Sequence, residues 1–144
     1  MRTSRLDKDG LEKGFIDFFV GIRWPRGPRC FYCESRYIKL MGNRAIFHCS
    51  DCRKQFAVLK GTQFEGTRLL PSQLFTALSR YYQTTGNLTV REIQSQLETK
   101  TKAGAYASAH RLSQKLRSVQ IDWGALPSFN HFVARALFSK READ

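Results

Sequence analysis

All four cysteines of this 144-residue chain fall in two CxxC pairs, Cys30-Phe31-Tyr32-Cys33 and Cys49-Ser50-Asp51-Cys52, fifteen residues apart. A CxxC turn aims two thiolates at one centre, and two such turns on facing hairpins complete a tetrahedral sulfur site. Soft thiolates in that geometry suit zinc, which needs no redox support. Four protein ligands leave no open coordination position, so one Zn2+ per chain is expected in a structural role. An iron–sulfur cluster uses the same ligand set and stays open as an alternative. Two disulfides would need an oxidising compartment, yet residues 1–10 are charged and lack the apolar stretch of a signal peptide. His48, next to Cys49, would be a fifth ligand and reads instead as an exposed hairpin residue.

The charge narrows the partner. Lys and Arg number 24 against 12 Asp and Glu, a formal net charge of +12. Zinc on four thiolates would lower this only to roughly +10. An acidic polymer is the expected partner of so basic a chain. The excess is concentrated: residues 30–60 carry six basic against two acidic residues, and residues 88–120 the same, whereas residues 121–144 balance at three each. Two basic segments imply two contacts on one polyanion. No apolar run approaches the length of a membrane span.

Along the chain, Leu11, Phe15, Phe18, Phe19 and Ile22 fall on one helical stripe, and Pro25 and Pro28 stop that helix. Trp24 is placed to cover the base of the metal module. Residues 37–40, 45–47 and 53–59 alternate as short strands, with 41–44 as the first turn. They form a three-stranded ribbon in which Phe31, Tyr32, Tyr37, Phe47 and Phe56 are expected mostly to pack. Residues 72–85 form a helix with Ser72 as N-cap and Leu74 and Leu78 inward. Thr89 and Glu92 match a capping box opening a short helix that ends near Leu97. Residues 98–100 make the turn into a longer helix, Thr101 to Arg117. Its buried stripe is Ala105, Ala109, Leu112, Leu116 and Val119, and its opposite face carries Ala103, Gly104, Ala107, His110, Arg111 and Gln114. This succession reads as a helix-turn-helix. Ser128 then caps a last helix, whose stripe of Phe129, Phe132, Val133, Ala136 and Leu137 docks on the chain or forms a dimer or protein contact through residues 129–137.

The fold class expected is small α+β. An N-terminal helix (1–23) precedes a three-stranded zinc ribbon with four cysteine ligands (24–68), a helix-turn-helix unit (69–119) and a C-terminal tail helix (120–144).

Several motifs also resemble a known family. Arg23-Trp24-Pro25-Arg26-Gly27-Pro28 before Cys30, Cys49 to Val58 with its Arg53-Lys54-Gln55-Phe56 core, and Gly61-Thr62-Gln63-Phe64 are similar to the N-terminal region of IS1595-type (ISXO2-like) bacterial transposases. In that family a W-P-x-G-x-x-C-P-x-C-G ribbon leads to C-x-x-C-R-x-Q-F-S-V and G-T-x-F. A helical DNA-binding segment follows, to which Ala105-Tyr106 and His110-Arg111 are similar. The resemblance spans roughly residues 11–117. The first knuckle departs from it, with Glu34 in place of the glycine and no proline, and the segment from Leu97 to His110 is one residue longer. Family members continue into a catalytic domain with three metal-binding carboxylates, whereas 27 residues follow Arg117 here. The resemblance therefore implies binding at mobile-element ends, and the expectation is a protein that is not an enzyme, acting in the bacterial cytoplasm at the nucleoid.

Zinc ligands are thus expected at Cys30, Cys33, Cys49 and Cys52. DNA contacts are expected at Arg44, Arg53, Lys54, Lys60, Lys100, Lys102, Tyr106, His110, Arg111, Gln114 and Lys115, with Arg53, Lys54 and Lys60 on the backbone and the face around Arg111 and Gln114 in a major groove of double-stranded DNA. A protein-binding adaptor, or an RNA or single-strand binder stacking bases on ribbon aromatics, is the alternative.

Overall fold

The computed structural model describes residues 5–41, 45–67, 69–95 and 102–138, with the side chains of 5–11 and 102–105 left aside. Of the expected DNA contacts, Arg44, Lys100 and the Lys102 side chain lie outside the described residues, as do Leu97, the turns at 42–44 and 98–100, and the side chains of Leu11 and Ala103 to Ala105. The chain forms two compact units, Met1–Gly61 and Thr62–Asp144. The α+β expectation holds: an N-terminal helix, a three-stranded antiparallel sheet bearing the cysteines, then several helices.

In the first unit α1 (Arg5–Arg23) hands over to a turn at Trp24-Pro25, where the Gly27 amide donates to the Trp24 carbonyl at 2.9 Å. Its fully buried pair is Ile16 and Phe19. Phe19 is buried as the apolar spacing suggested, Ile16 is buried off that stripe, and Phe15, Phe18 and Ile22 are only half-buried. Strands β1 (Ile38–Leu40), β2 (Ile46–Cys49) and β3 (Gln55–Ala57) follow in the order β1-β2-β3. The register sets Ile38 opposite Cys49 and Phe47 opposite Phe56. A three-stranded sheet has too little area for a conventional core. Phe47 stacks on Phe56 with centroids 5.5 Å apart, and Trp24 closes edge-on over both, at 5.8 and 6.4 Å. Trp24 thus covers the base of the ribbon.

In the second unit α2 (Pro71–Gln83), α3 (Val90–Gln94), α4 (Lys102–Arg117) and α5 (Phe129–Phe138) enclose a core of Leu74, Leu78, Ile93, Leu112, Leu116 and Phe132. The N-cap of α2 is Leu70, not Ser72. Pro71 fixes the first helical position, and the Gln73 side chain accepts the Leu70 amide at 2.9 Å, so Ser72 lies inside the helix. Thr89 caps α3 as expected, its hydroxyl accepting the Glu92 amide at 3.2 Å. Ala109, Leu112, Leu116 and Val119 are buried, as the periodicity of α4 demands.

The stripe on α5 is internal. Phe132, Val133, Ala136 and Leu137 are fully buried, so of the two readings of this stripe, docking on the chain itself holds for these four residues. Phe129 and Phe132 join an aromatic cluster that the spacing did not reveal. Phe132 stacks on Tyr81 at 6.0 Å and on Trp123 at 5.6 Å, while Phe129 meets Phe75 and Tyr82 at 5.6 and 5.4 Å.

One buried polar residue holds this unit together. Gln63 accepts from the Ser118 hydroxyl at 2.9 Å, donates from Nε2 to the Ala136 carbonyl at 3.1 Å, and donates its own amide to the Leu137 carbonyl at 2.9 Å. It therefore ties the segment after the ribbon to α5 and to the end of α4. Gln63→Ala would strand a buried carbonyl, so a loss of about 2 kcal/mol is expected from urea unfolding of the second unit.

Candidate metal centre and the basic surfaces

The two knuckles are built alike. In the first, the Cys30 amide donates to the Ser35 carbonyl at 2.8 Å and the Glu34 amide to the Cys30 carbonyl at 3.0 Å. In the second, the Cys49 amide donates to Lys54 at 3.0 Å and the Arg53 amide to Cys49 at 2.9 Å. Each places the residue after its second cysteine in the left-handed region, Glu34 at φ 62° and Arg53 at φ 63°. The Ser35 hydroxyl joins them, donating to Asp51 at 2.5 Å and accepting the Tyr37 amide at 3.0 Å.

The knuckles converge four sulfurs, all within 4.8 Å of one another. Cys30 and Cys52 approach to 3.6 Å, as do Cys33 and Cys49. A disulfide would need about 2.05 Å. A regular tetrahedron with zinc–sulfur bonds of about 2.3 Å has edges of about 3.8 Å, so these approaches fit zinc. His48 is not part of the group; it pairs along β2 with Lys39 and Gln55 and is half-buried.

Backbone amides point at the sulfurs, from Ser35 to Cys33, from Cys52 and Asp51 to Cys49, and from Lys54 to Cys52. Such bonds favour thiolates. For Cys49 the Cys52 amide prevails and the thiol falls to about 7. For Cys33 the Ser35 amide is outweighed by desolvation and the neighbouring thiols, which push it up to about 12; Cys52 is raised too, against the pull of the Lys54 amide. Without a cation the cluster holds protons near neutral pH. A metal displaces them, so affinity rises with pH.

Beside the cluster lies an aromatic and basic surface. Phe47 and Phe56 are buried, but Phe31, Tyr32 and Tyr37 are 44%, 45% and 71% exposed, contrary to the expectation that most ribbon aromatics pack. The single inner face of the sheet is filled by Phe47, Phe56 and Trp24, leaving the knuckle aromatics outside. Lys54 lies 4.8 Å over the Tyr32 ring and Lys60 5.7 Å over Phe31. Gly61, at φ 82°, leaves room for Phe31, whose ring would lie 2.8 Å from any Cβ there. Arg53 is exposed on the second knuckle.

A second basic surface belongs to α4 in the other unit. Tyr106, Ala107, His110, Arg111 and Gln114 are exposed on one side, with Tyr106 and His110 stacked at 6.0 Å. Lys115 is half-buried, its ammonium 5.9 Å over the Phe64 ring. The structure thus gathers Lys54 and Lys60 around the Phe31–Tyr32 pair, and Arg111 and Lys115 at one cavity. Thr67 and Ser108 share that cavity and were not singled out from sequence. Ser108 stands one turn before Arg111, which was the available signal.

The comparisons agree with this geometry. Residues 12–55 match the transposase zinc-ribbon domain family of the IS1595 type. A protein of Halobacterium salinarum described as an uncharacterized protein in transposable element ISH50 is 23% identical over 136 residues, 92% of this chain and 45% of that protein. The chain spans about half the length of that curated relative. No solved structure matches it. Over residues 12–55 the chain is thus similar to a transposase zinc ribbon, and Cys30, Cys33, Cys49 and Cys52 form a metal-binding group of the zinc-ribbon type.

Trp24 lies in the first unit and Trp123 in the second, so single-tryptophan variants report each separately. Stripping zinc with a chelator is expected to abolish the folded fluorescence of Trp24 and leave that of Trp123; a Cys49→Ser chain should behave as the stripped form does. Glu34→Gly should stabilise the zinc-loaded first unit by about 1 kcal/mol, read from its thermal midpoint, because glycine adopts the left-handed knuckle conformation without a Cβ clash.

Proposed function

We propose that this chain is the DNA-holding module of a transposase-like system, binding double-stranded DNA without cutting it. It would act as a mobile-element accessory or repressor, or as a transcription regulator. The observation that carries this reading is the composition of the α4 surface. A helix backed by Ala109, Leu112 and Leu116 presents Tyr106, His110, Arg111 and Gln114 outward. Preceded by α2 and the capped α3, it reads as the recognition helix of a helix-turn-helix, with Gln114 suited to an adenine edge. In the ribbon, Arg53, Lys54 and Lys60 are read as backbone contacts. The zinc-ribbon match and the transposable-element relative support the same reading. The non-catalytic role belongs to this proposal; metal-dependent nicking of DNA by the pure chain would overturn it.

Selection from random duplexes gives the test. Gln114→Ala is expected to relax preference at one base position, and Lys54→Ala to weaken all duplexes alike by a few-fold at about 0.15 M salt. If neither changes affinity, preference or salt slope, the helix and ribbon do not hold DNA. A second reading, single-strand or RNA binding, is favoured by the exposed Phe31–Tyr32 pair beneath two lysines. Competition among duplex, single strand and RNA separates the two.

A further inference from the structure

One cavity in the second unit collects positive charge, and none of the described residues that line it is acidic. It measures about 70 Å³, room for about two waters or one tetrahedral oxyanion. Arg111, Lys115, Ser108 and Thr67 supply its polar wall, and Phe64 and Leu112 its apolar one. Arg111 and Lys115 stand one helical turn apart on α4, where like charges repel. Burial lowers the Lys115 ammonium below the usual lysine range, and the Arg111 charge lowers it further. Among the described residues no carboxylate lines the cavity, and the salt bridge found is Lys13–Asp17, on α1. Two cations converging on a small, half-enclosed space with two hydroxyls make an anion site. The Thr67 hydroxyl already accepts the Leu69 amide at 3.3 Å, which leaves its proton to donate.

We propose that this cavity binds a phosphate group, with Arg111 and Lys115 as its charged partners and Thr67 and Ser108 as hydroxyl donors. The proposal rests on the DNA-binding reading for its biological source, a backbone phosphodiester, and changes one part of it. Arg111 becomes an affinity residue that seats α4 on the backbone, and base reading passes to Gln114, His110 and Tyr106. Phosphate contacts fix register and carry no sequence information directly.

The zinc-loaded chain is titrated with inorganic phosphate at constant ionic strength, followed by amide and arginine Nε NMR shifts. Saturable shifts at Thr67, Ser108 and Arg111 are expected, lost in Arg111→Gln and retained in part in Arg111→Lys. Thr67→Val should weaken phosphate binding several-fold while leaving the helical spectrum intact, which guards against a folding artefact. In duplex titrations Arg111→Gln and Lys115→Gln should each reduce the salt slope by about 0.9 and weaken all sequences equally. Saturable phosphate shifts with an unchanged duplex salt slope would keep the phosphate site and assign it to a free small anion. Wild-type failure to bind duplex, with those shifts present, would remove the DNA reading and leave the site. No saturable shift, or an Arg111→Gln variant that loses base preference at an unchanged salt slope, would overturn the proposal.

Discussion

Four sulfur atoms within 4.8 Å of one another cannot all ionise unless a cation sits among them. That constraint organises the first unit. The sheet is three strands of three or four residues, and its buried face holds little beyond Phe47, Phe56 and the covering Trp24. So small a core does not stabilise a fold without help. Zinc on four thiolates supplies the difference, which is why the backbone of both knuckles is given over to aiming amides at sulfur.

The second unit solves the same problem by other means. Its helices run from five residues in α3 to sixteen in α4. An aromatic cluster of Tyr81, Tyr82, Trp123, Phe129 and Phe132 seals α2 against α5. Gln63 then ties the preceding segment to that core with three hydrogen bonds. Because one face of α4 is consumed by packing, its opposite face can be small, polar and basic without loss of stability. The same division leaves Arg111 and Lys115 one turn apart, a like-charge pair that a bound anion would relieve.

Both surfaces combine cations with another contact chemistry, aromatic on the ribbon and hydroxyl-lined on α4. A basic composition of itself points only toward an acidic partner. On the proposed function, that added chemistry would distinguish a stacked base from a seated phosphate.

The cysteine spacing by itself determined the metal-binding ribbon, because a short knuckle leaves its two thiolates one direction in which to point. Helical periodicity likewise placed the buried face of α4, and the Thr89–Glu92 pair the start of α3. Tertiary structure alone decided the rest. Pairing of Phe47 with Phe56 filled the inner face of the sheet and so pushed Phe31 and Tyr32 out. Contacts across 55 and 73 residues of sequence made Gln63 a core residue rather than a loop polar one. The α5 stripe was visible as apolar, but whether it met this chain or another depended on the Tyr81, Trp123 and Phe132 rings finding one another. Local sequence fixes which side of an element is apolar; only the fold fixes what that side touches.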